Sequence, residues 1–221
     1  MNISIVIPVF NEEESIKELY NQISKALKDQ KTYEIIFIDD GSSDKSNKII
    51  IDLSIEDSRV KLIRFFRNFG KSAALSEGFK YAKGDVIITM DADLQDDPDE
   101  IPNLLKKLDE GYDLVSGWKK KRHDPWTKTF PSKIFNFVTR LLTGVKIHDF
   151  NCGLKAYRSS VVKSIEIFGG RHRYIPALAG QLGFPVSEIV VNHRPRIHGE
   201  TKYGGSRVFH GFFDLLTILF L

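Results

Sequence analysis

Apolar residues along this chain fall in short runs separated by polar stretches of helical length. Ile3-Ser4-Ile5-Val6-Ile7-Pro8-Val9-Phe10, Ile35-Ile36-Phe37-Ile38 and Val86-Ile87-Ile88-Thr89-Met90 are β-branched and nearly continuous. Such runs read as strands buried on both faces of a parallel sheet. Further strands are expected at 112–117 and 152–157. The helix signals lie between them. Asp97 can cap a helix over 98–110, Pro98 suits its first turn, and Gly111 can end it. Lys71 and Ser72 open a helix through Tyr81, which Gly84 can end. Asn11 is expected as an N-cap ahead of the acidic run 12–14, which suits a positive helix end, and Ser42 or Ser43 as the cap of the next helix. This alternation, held through about residue 117, predicts a Rossmann-like α/β fold with a mostly parallel, right-handed sheet flanked by helices. Beyond Gly117 the pattern turns irregular and basic, and 118–203 reads as the second side of one site, not as a separate domain.

Polar clusters follow three of these strands. Asn11-Glu12-Glu13-Glu14 follows the first, Asp39-Asp40-Gly41-Ser42-Ser43-Asp44 the second, and Asp91-Ala92-Asp93-Leu94-Gln95 the strand at 86–90. All three therefore meet at the carboxyl edge of the sheet, where open α/β folds bind ligands. Positions 91 and 93 can diverge once the strand has ended and do separate jobs. Carboxylate oxygens suit a hard divalent cation that completes its shell with substrate phosphates. Acidic turns capping the following helices are the alternative reading of each cluster taken singly.

The order and spacing of Ile7-Pro8-Val9-Phe10-Asn11-Glu12, Asp39-Asp40-Gly41-Ser42 and Asp91-Ala92-Asp93-Leu94-Gln95 resemble the inverting family 2 glycosyltransferases, in particular those like dolichyl-phosphate mannose synthase. The segments 149–158, 171–174 and 192–203 are similar to that subgroup as well, so the likeness covers almost the whole chain. The resemblance implies a GT-A-type fold and a catalytic domain over 1–203, with 1–117 as its nucleotide-sugar part and 118–203 as its acceptor side. It implies nucleotide-sugar contacts at Pro8, Phe10, Asn11, Glu12, Ile38, Asp40, Asp91 and Ala92. Asp93 and Gln95 would hold Mg²⁺ or Mn²⁺, with Asp93 also counted as catalytic. The acceptor would be a polyprenyl phosphate, dolichyl or undecaprenyl, bound through Lys119, Arg122, Arg196 and Lys202. Lysine stands at position 119 where the family commonly has arginine, which keeps the charge and loses the bidentate fork. The implied donor is a GDP-mannose or UDP-hexose type of nucleotide sugar. Transfer to a saccharide hydroxyl, and a non-catalytic protein that binds nucleotide sugars or lipid headgroups, are the competing readings.

An acceptor phosphate is largely dianionic at neutral pH, its second pKa lying near ~6. It can attack a sugar's anomeric carbon with little help from a base, whereas a hydroxyl acceptor needs a carboxylate to take its proton. Asp149 is the candidate base or acceptor-orienting group; a cap before the 152–157 strand is its structural reading.

Composition narrows the classes. The 221 residues, 42% hydrophobic, suffice for one substantial core, and a formal charge of +3 is too small for a nucleic-acid polycation. No RRM or KH signature is present, so nucleic acid is not an expected partner. Lys119, Lys120, Lys121 and Arg122 mix with Trp126, Phe130 and Phe135 in a way that suits an anionic membrane surface. One cysteine allows no internal disulfide, and no basic leader precedes an apolar core at the start, which points to the cytoplasmic face of a membrane. Gly70-Lys71-Ser72 lacks the earlier glycine of a phosphate-binding P-loop, Phe65 standing in its place. His148 and Cys152, four apart, could share a helix face, but two ligands without partners rarely make a zinc site. The apolar end of the chain is shorter than the about 20 residues a membrane span requires. Residues 204–221 are expected as an interfacial helix, with a core helix or the approach to membrane spans as alternatives.

Overall fold

The computed structural model describes residues 2–120, 126–195 and 217. In chain order the elements are β1 (Ile3–Val9), α1 (Ile16–Ala26), β2 (Tyr33–Asp39), α2 (Ser46–Glu56), β3 (Val60–Arg64), α3 (Lys71–Tyr81) and β4 (Val86–Thr89). They continue with α4 (Ile101–Asp109), β5 (Leu114–Trp118), α5 (Trp126–Thr143), β6 (Lys155–Arg158), α6 (Ser159–Ser164), α7 (Ile175–Gln181) and β7 (Val186–Val190). Single 3₁₀ turns at Pro98–Glu100 and Arg171–Tyr174 lead into α4 and α7.

The strands form one sheet in the order β3-β2-β1-β4-β6-β5-β7. Pairing is parallel from β3 through β4 and again between β5 and β7, while β6 runs antiparallel to both its neighbours. The expected mostly parallel α/β sheet is present, with β6 as its one reversed strand among the described residues. That strand also starts later than expected, at Lys155, leaving 152–154 as loop.

The apolar runs are continuous because both faces of the sheet are covered. Ile5, Ile7, Ile35, Phe37, Val86 and Ile88 pack towards α1, α2 and α4, meeting Leu19, Ile23, Ile50, Leu104 and Leu108. The alternate residues Val6, Ile36, Ile38 and Ile87 pack towards α3, α6 and α7, meeting Ala74, Leu75, Phe79, Val161 and Ile175. The two-residue period of a strand thus builds two cores from one run.

Helix starts differ from expectation where side chains find partners across loops. Asn11 adopts a left-handed conformation (φ 54°) and α1 begins only at Ile16, so Asn11 is not its cap. Neither Ser42 nor Ser43 caps α2, which begins at Ser46 with Asp44 Oδ1 accepting the Ser46 N–H at 2.9 Å. The 98–110 helix is a 3₁₀ turn followed by α4; Asp97 does cap it, accepting the Asp99 N–H at 3.1 Å, and Gly111 (φ 103°) follows its end. α3 spans Lys71–Tyr81 as expected.

α3 lies so close to the sheet that a Cβ at Gly78 would stand 2.3 Å from Val6 Cγ1 and 2.9 Å from Ile38 Cδ1. In an open helix, Gly→Ala stabilises by about 1 kcal/mol. Here overpacking reverses the sign, and Gly78→Ala is expected to cost about 1–3 kcal/mol in urea denaturation. A stabilised variant would show that α3 can lift off the sheet at no cost.

Candidate active site

Three loops converge at the carboxyl edge and are laced to one another. The Asn11 N–H donates to Ser42 Oγ at 2.9 Å, and Asn11 Oδ1 accepts the Ser43 N–H at 2.8 Å. The Glu12 N–H donates to Ser46 Oγ at 2.9 Å, and the Glu13 N–H to Asp44 Oδ2 at 3.1 Å. The clusters after β1 and β2 therefore form one rigid rim. Asp40 extends it: its two oxygens accept the Phe69 N–H at 2.7 Å and the Gly70 N–H at 2.9 Å, tying the approach to α3 onto the rim. Desolvation pushes the Asp40 carboxyl above its usual range, against the pull of those two N–H groups. Pro8 pairs with Ile38 across β1 and β2, and Phe10 is half-buried at the rim. Ile38 and Ala92 turn their side chains into the core, which leaves only their backbone to face a ligand.

The acidic loop after β4 is shaped by Leu94, buried and left-handed at φ 62°. A bulky residue in that region is strained and persists only where its surroundings impose it. The turn brings Asp93 Oδ1 to the Gln95 N–H (3.1 Å) and sends Asp96 Oδ2 back to accept the Asp91 N–H at 3.0 Å. Asp93 is 9% exposed and Gln95 half-buried.

Two lysines balance these carboxylates. Lys71, the first residue of α3, forms an ion pair with Asp91. Lys119 Nζ lies 2.8 Å from Asp96 Oδ1. Burial opposes ionisation of Asp91, but the ammonium groups of Lys71 and Lys119 outweigh it and hold the carboxyl well below the usual carboxylate range. Burial likewise works against the charge on Lys119, and Asp96 more than reverses it, lifting the ammonium above its ordinary range. A third lysine, Lys155, is buried beneath and donates to the Cys152 carbonyl; burial depresses its pKa.

The loop before β6 presses on this network. A Cβ at Gly153 would stand 2.7 Å from Asp91 Cγ and Oδ2 and from Asp96 Oδ2. His148 and Cys152 lie in that loop, not on a helix: His148 stacks on Trp118 at 4.2 Å and Cys152 is buried. Burial pushes the Cys152 thiol up to about 12, far from a nucleophilic thiolate at neutral pH. Asp149 is 1% exposed; its oxygens accept the Asn151 N–H at 3.1 Å and the Lys119 N–H at 3.4 Å.

On the far side the chain returns to clasp the acidic loop. Asp96 and His193 form an antiparallel bridge, the Arg194 N–H donates to the Gln95 carbonyl at 3.0 Å, and the Arg194 guanidinium meets Asp97 at 2.5 Å and Gln22 at 2.6 Å.

Of the residues expected from sequence, Asp91, Asp93 and Gln95 share one loop, with Lys119 joined to it through Asp96 and Asp149 touching the Lys119 backbone. Asn11, Glu12 and Asp40 build the adjoining rim. Lys119, expected at an acceptor phosphate, turns its ammonium to Asp96 because that buried carboxylate demands a counter-charge. Arg122, Arg196 and Lys202 lie outside the described residues, as does nearly all of 204–221. Sequence reasoning missed Asp96, the Lys71–Asp91 pair and the role of Gly153. Asp96 is visible as a third acid in the same run, but its task depends on the left-handed turn at Leu94.

Comparison with known proteins places this geometry. A family model described as Glycosyl transferase family 2 matches residues 4–166. The chain is 41% identical over 219 residues to an undecaprenyl-phosphate 4-deoxy-4-formamido-L-arabinose transferase of Edwardsiella ictaluri, covering 98% of this chain and 67% of that one. It is 44% identical over 217 residues to the protein of the same name from Shewanella sediminis, covering 97% and 66%. Among solved structures, glucosyl-3-phosphoglycerate synthase of Mycobacterium tuberculosis superposes with TM-scores of 0.79 in its complex with phosphoglyceric acid and 0.79 in that with Mn²⁺ and UDP-glucose. These two share 22% and 21% identity, covering all of this chain and 80% and 79% of theirs, and so establish the GT-A architecture.

Gly153→Ala should displace Asp91 and Asp96 together. The expected cost is about 1–3 kcal/mol of stability by urea denaturation, the penalty of overpacking. Unchanged stability would mean that the loop before β6 yields without disturbing the carboxylates.

Proposed function

The chain belongs to glycosyl transferase family 2 and is a glycosyltransferase; we propose that it transfers a sugar from a nucleoside diphosphate to a polyprenyl phosphate, with inversion at the anomeric carbon. The observation that carries this reading is the likeness, over nearly the whole chain, to transferases whose name specifies undecaprenyl phosphate. The chain spans about two thirds of those relatives' length (67% and 66%), and the acceptor is proposed from them.

The laced rim of Asn11, Glu12 and Asp40, with Pro8, Phe10 and the backbone of Ile38 and Ala92, is the proposed seat of the nucleoside. Asp91 stands where the rim meets the acidic loop. Asp93 and Gln95 suit a Mg²⁺ or Mn²⁺ ion: carboxylate and amide oxygens are hard donors, and both side chains belong to the one acidic loop after β4. Such an ion, when bound, neutralises charge building on the departing diphosphate. The protein's own part is positional. Asp96 fixes the Asp91 backbone, Lys119 fixes Asp96, and Asp149 fixes the Lys119 backbone. An oxygen of the acceptor phosphate attacks the anomeric carbon; the bond to the diphosphate breaks, and the leaving group keeps the electron pair. The acceptor's dianion needs no strong base, in keeping with an Asp149 whose oxygens already serve backbone N–H groups.

Arg122, Arg196 and Lys202 are the proposed holders of the acceptor phosphate. No helix among the described residues is long and apolar enough to cross a membrane. The reading places 1–203 on a membrane surface, on its cytoplasmic face, with 204–221 as an interfacial helix.

The test is transfer of labelled sugar by the purified protein with Mn²⁺. Donors are UDP-4-deoxy-4-formamido-L-arabinose, UDP-glucose and GDP-mannose, offered with undecaprenyl phosphate, the neutral alcohol undecaprenol or free saccharides. Label should enter the organic phase only with the phosphate. Chelator should abolish transfer, and Asp93→Asn should lower it by roughly 100-fold or more while leaving the fold intact. Transfer to free saccharides alone would support the hydroxyl-acceptor enzyme; nucleotide binding without turnover on any acceptor would support a binding protein.

A further inference from the structure

The two lysines that face the acidic loop are not equivalent. Lys119 is 12% exposed and its partner Asp96 is 0% exposed. Removing that ammonium would strand a buried carboxylate that also holds the Asp91 N–H, so the pair is fixed. Lys71 is 21% exposed and Asp91 34% exposed. This pair lies nearer to solvent than Lys119–Asp96, and the flexible four-carbon stem of Lys71 lets its ammonium leave one anion for another at the same edge. Lys71 also opens an 11-residue helix, whose positive end favours an anion at the same edge.

We propose that Lys71 is an exchangeable counter-cation. It neutralises Asp91 while no donor is bound, and transfers its ammonium to the donor's diphosphate when the nucleotide arrives. The inference rests on the donor reading given above. It has two consequences of opposite sign. Without nucleotide, the ammonium disfavours a second cation beside Asp91, so a divalent ion alone binds weakly. With nucleotide, the ammonium has moved to the diphosphate, the ion is admitted, and Lys71 adds its own contact to the phosphates. Metal and nucleotide therefore bind cooperatively, and the coupling is the same whichever binds first.

The experiment is a Mn²⁺ titration followed by electron paramagnetic resonance, with and without UDP or GDP, together with calorimetric titration of the nucleotide in saturating Mn²⁺. It is run on the wild type, Lys71→Met, Lys71→Gln and Lys71→Arg, each checked for an unchanged thermal midpoint. In the wild type, nucleotide should tighten Mn²⁺ by about 10-fold or more, within the usual range of coupling between sites. Both uncharged variants should bind Mn²⁺ alone more tightly than the wild type and nucleotide about 10-fold more weakly, so that the coupling shrinks. Lys71→Arg should keep most of it. Unchanged affinities in Lys71→Met and Lys71→Gln, or equal weakening of Mn²⁺ alone and of nucleotide, would overturn the exchange and leave Lys71 a fixed structural partner. A wild type that binds neither nucleotide with Mn²⁺ would overturn the donor reading itself, and this inference with it.

Discussion

A fully buried carboxylate, that of Asp96, is the constraint on which this sheet edge depends. A charge removed from water is tolerated only with a counter-charge and hydrogen bonds in place. Lys119 supplies the first at 2.8 Å, and the Asp91 N–H supplies the second at 3.0 Å. To reach both, the chain must turn back on itself, which it does through a left-handed Leu94. Gly153 must stand aside, because any side chain there would overlap Asp91 and Asp96. The strained residue, the glycine and the buried lysine are one arrangement, and its product is a fixed position for Asp91 and Asp93.

The rest of the fold serves that position. Covering both faces of the sheet makes β1, β2 and β4 rigid along their length, so the loops at their carboxyl ends start from fixed points. Side chains that would ordinarily cap helices bond across those loops instead. Ser42, Ser46, Asp44 and Asn11 are spent on tying the β1 and β2 loops together, and α1 and α2 start later as a result. Order at the carboxyl edge thus takes precedence over tidy helix ends.

Much of this was legible in the sequence, for physical reasons that can be named. The apolar runs at 3–10, 35–38 and 86–90 marked strands because burial on both faces leaves no polar positions. The clusters that followed them marked loops that converge at one edge, since parallel strands put their carboxyl ends together. What was not legible depended on contacts distant along the chain. The reversal of β6 follows from its pairing with β4 and β5, which no local pattern encodes. The Lys71–Asp91 pair joins residues 20 apart, and the clasp of Arg194 on Asp97 joins residues 97 apart. Asn11 looked like a cap because its side chain can serve as one; its true partner, Ser43, belongs to another loop.

The central claim is that the acidic loop after β4, held by Asp96 and Lys119, receives the diphosphate and metal of the donor. A crystal structure with UDP or GDP and Mn²⁺ tests it most directly. The account predicts the ion against Asp93 and Gln95, the nucleoside on the rim of Asn11, Glu12 and Asp40, and Lys119 still on Asp96. A nucleotide bound away from this edge, or an ion held by other residues while Asp93 stays solvated, would contradict it.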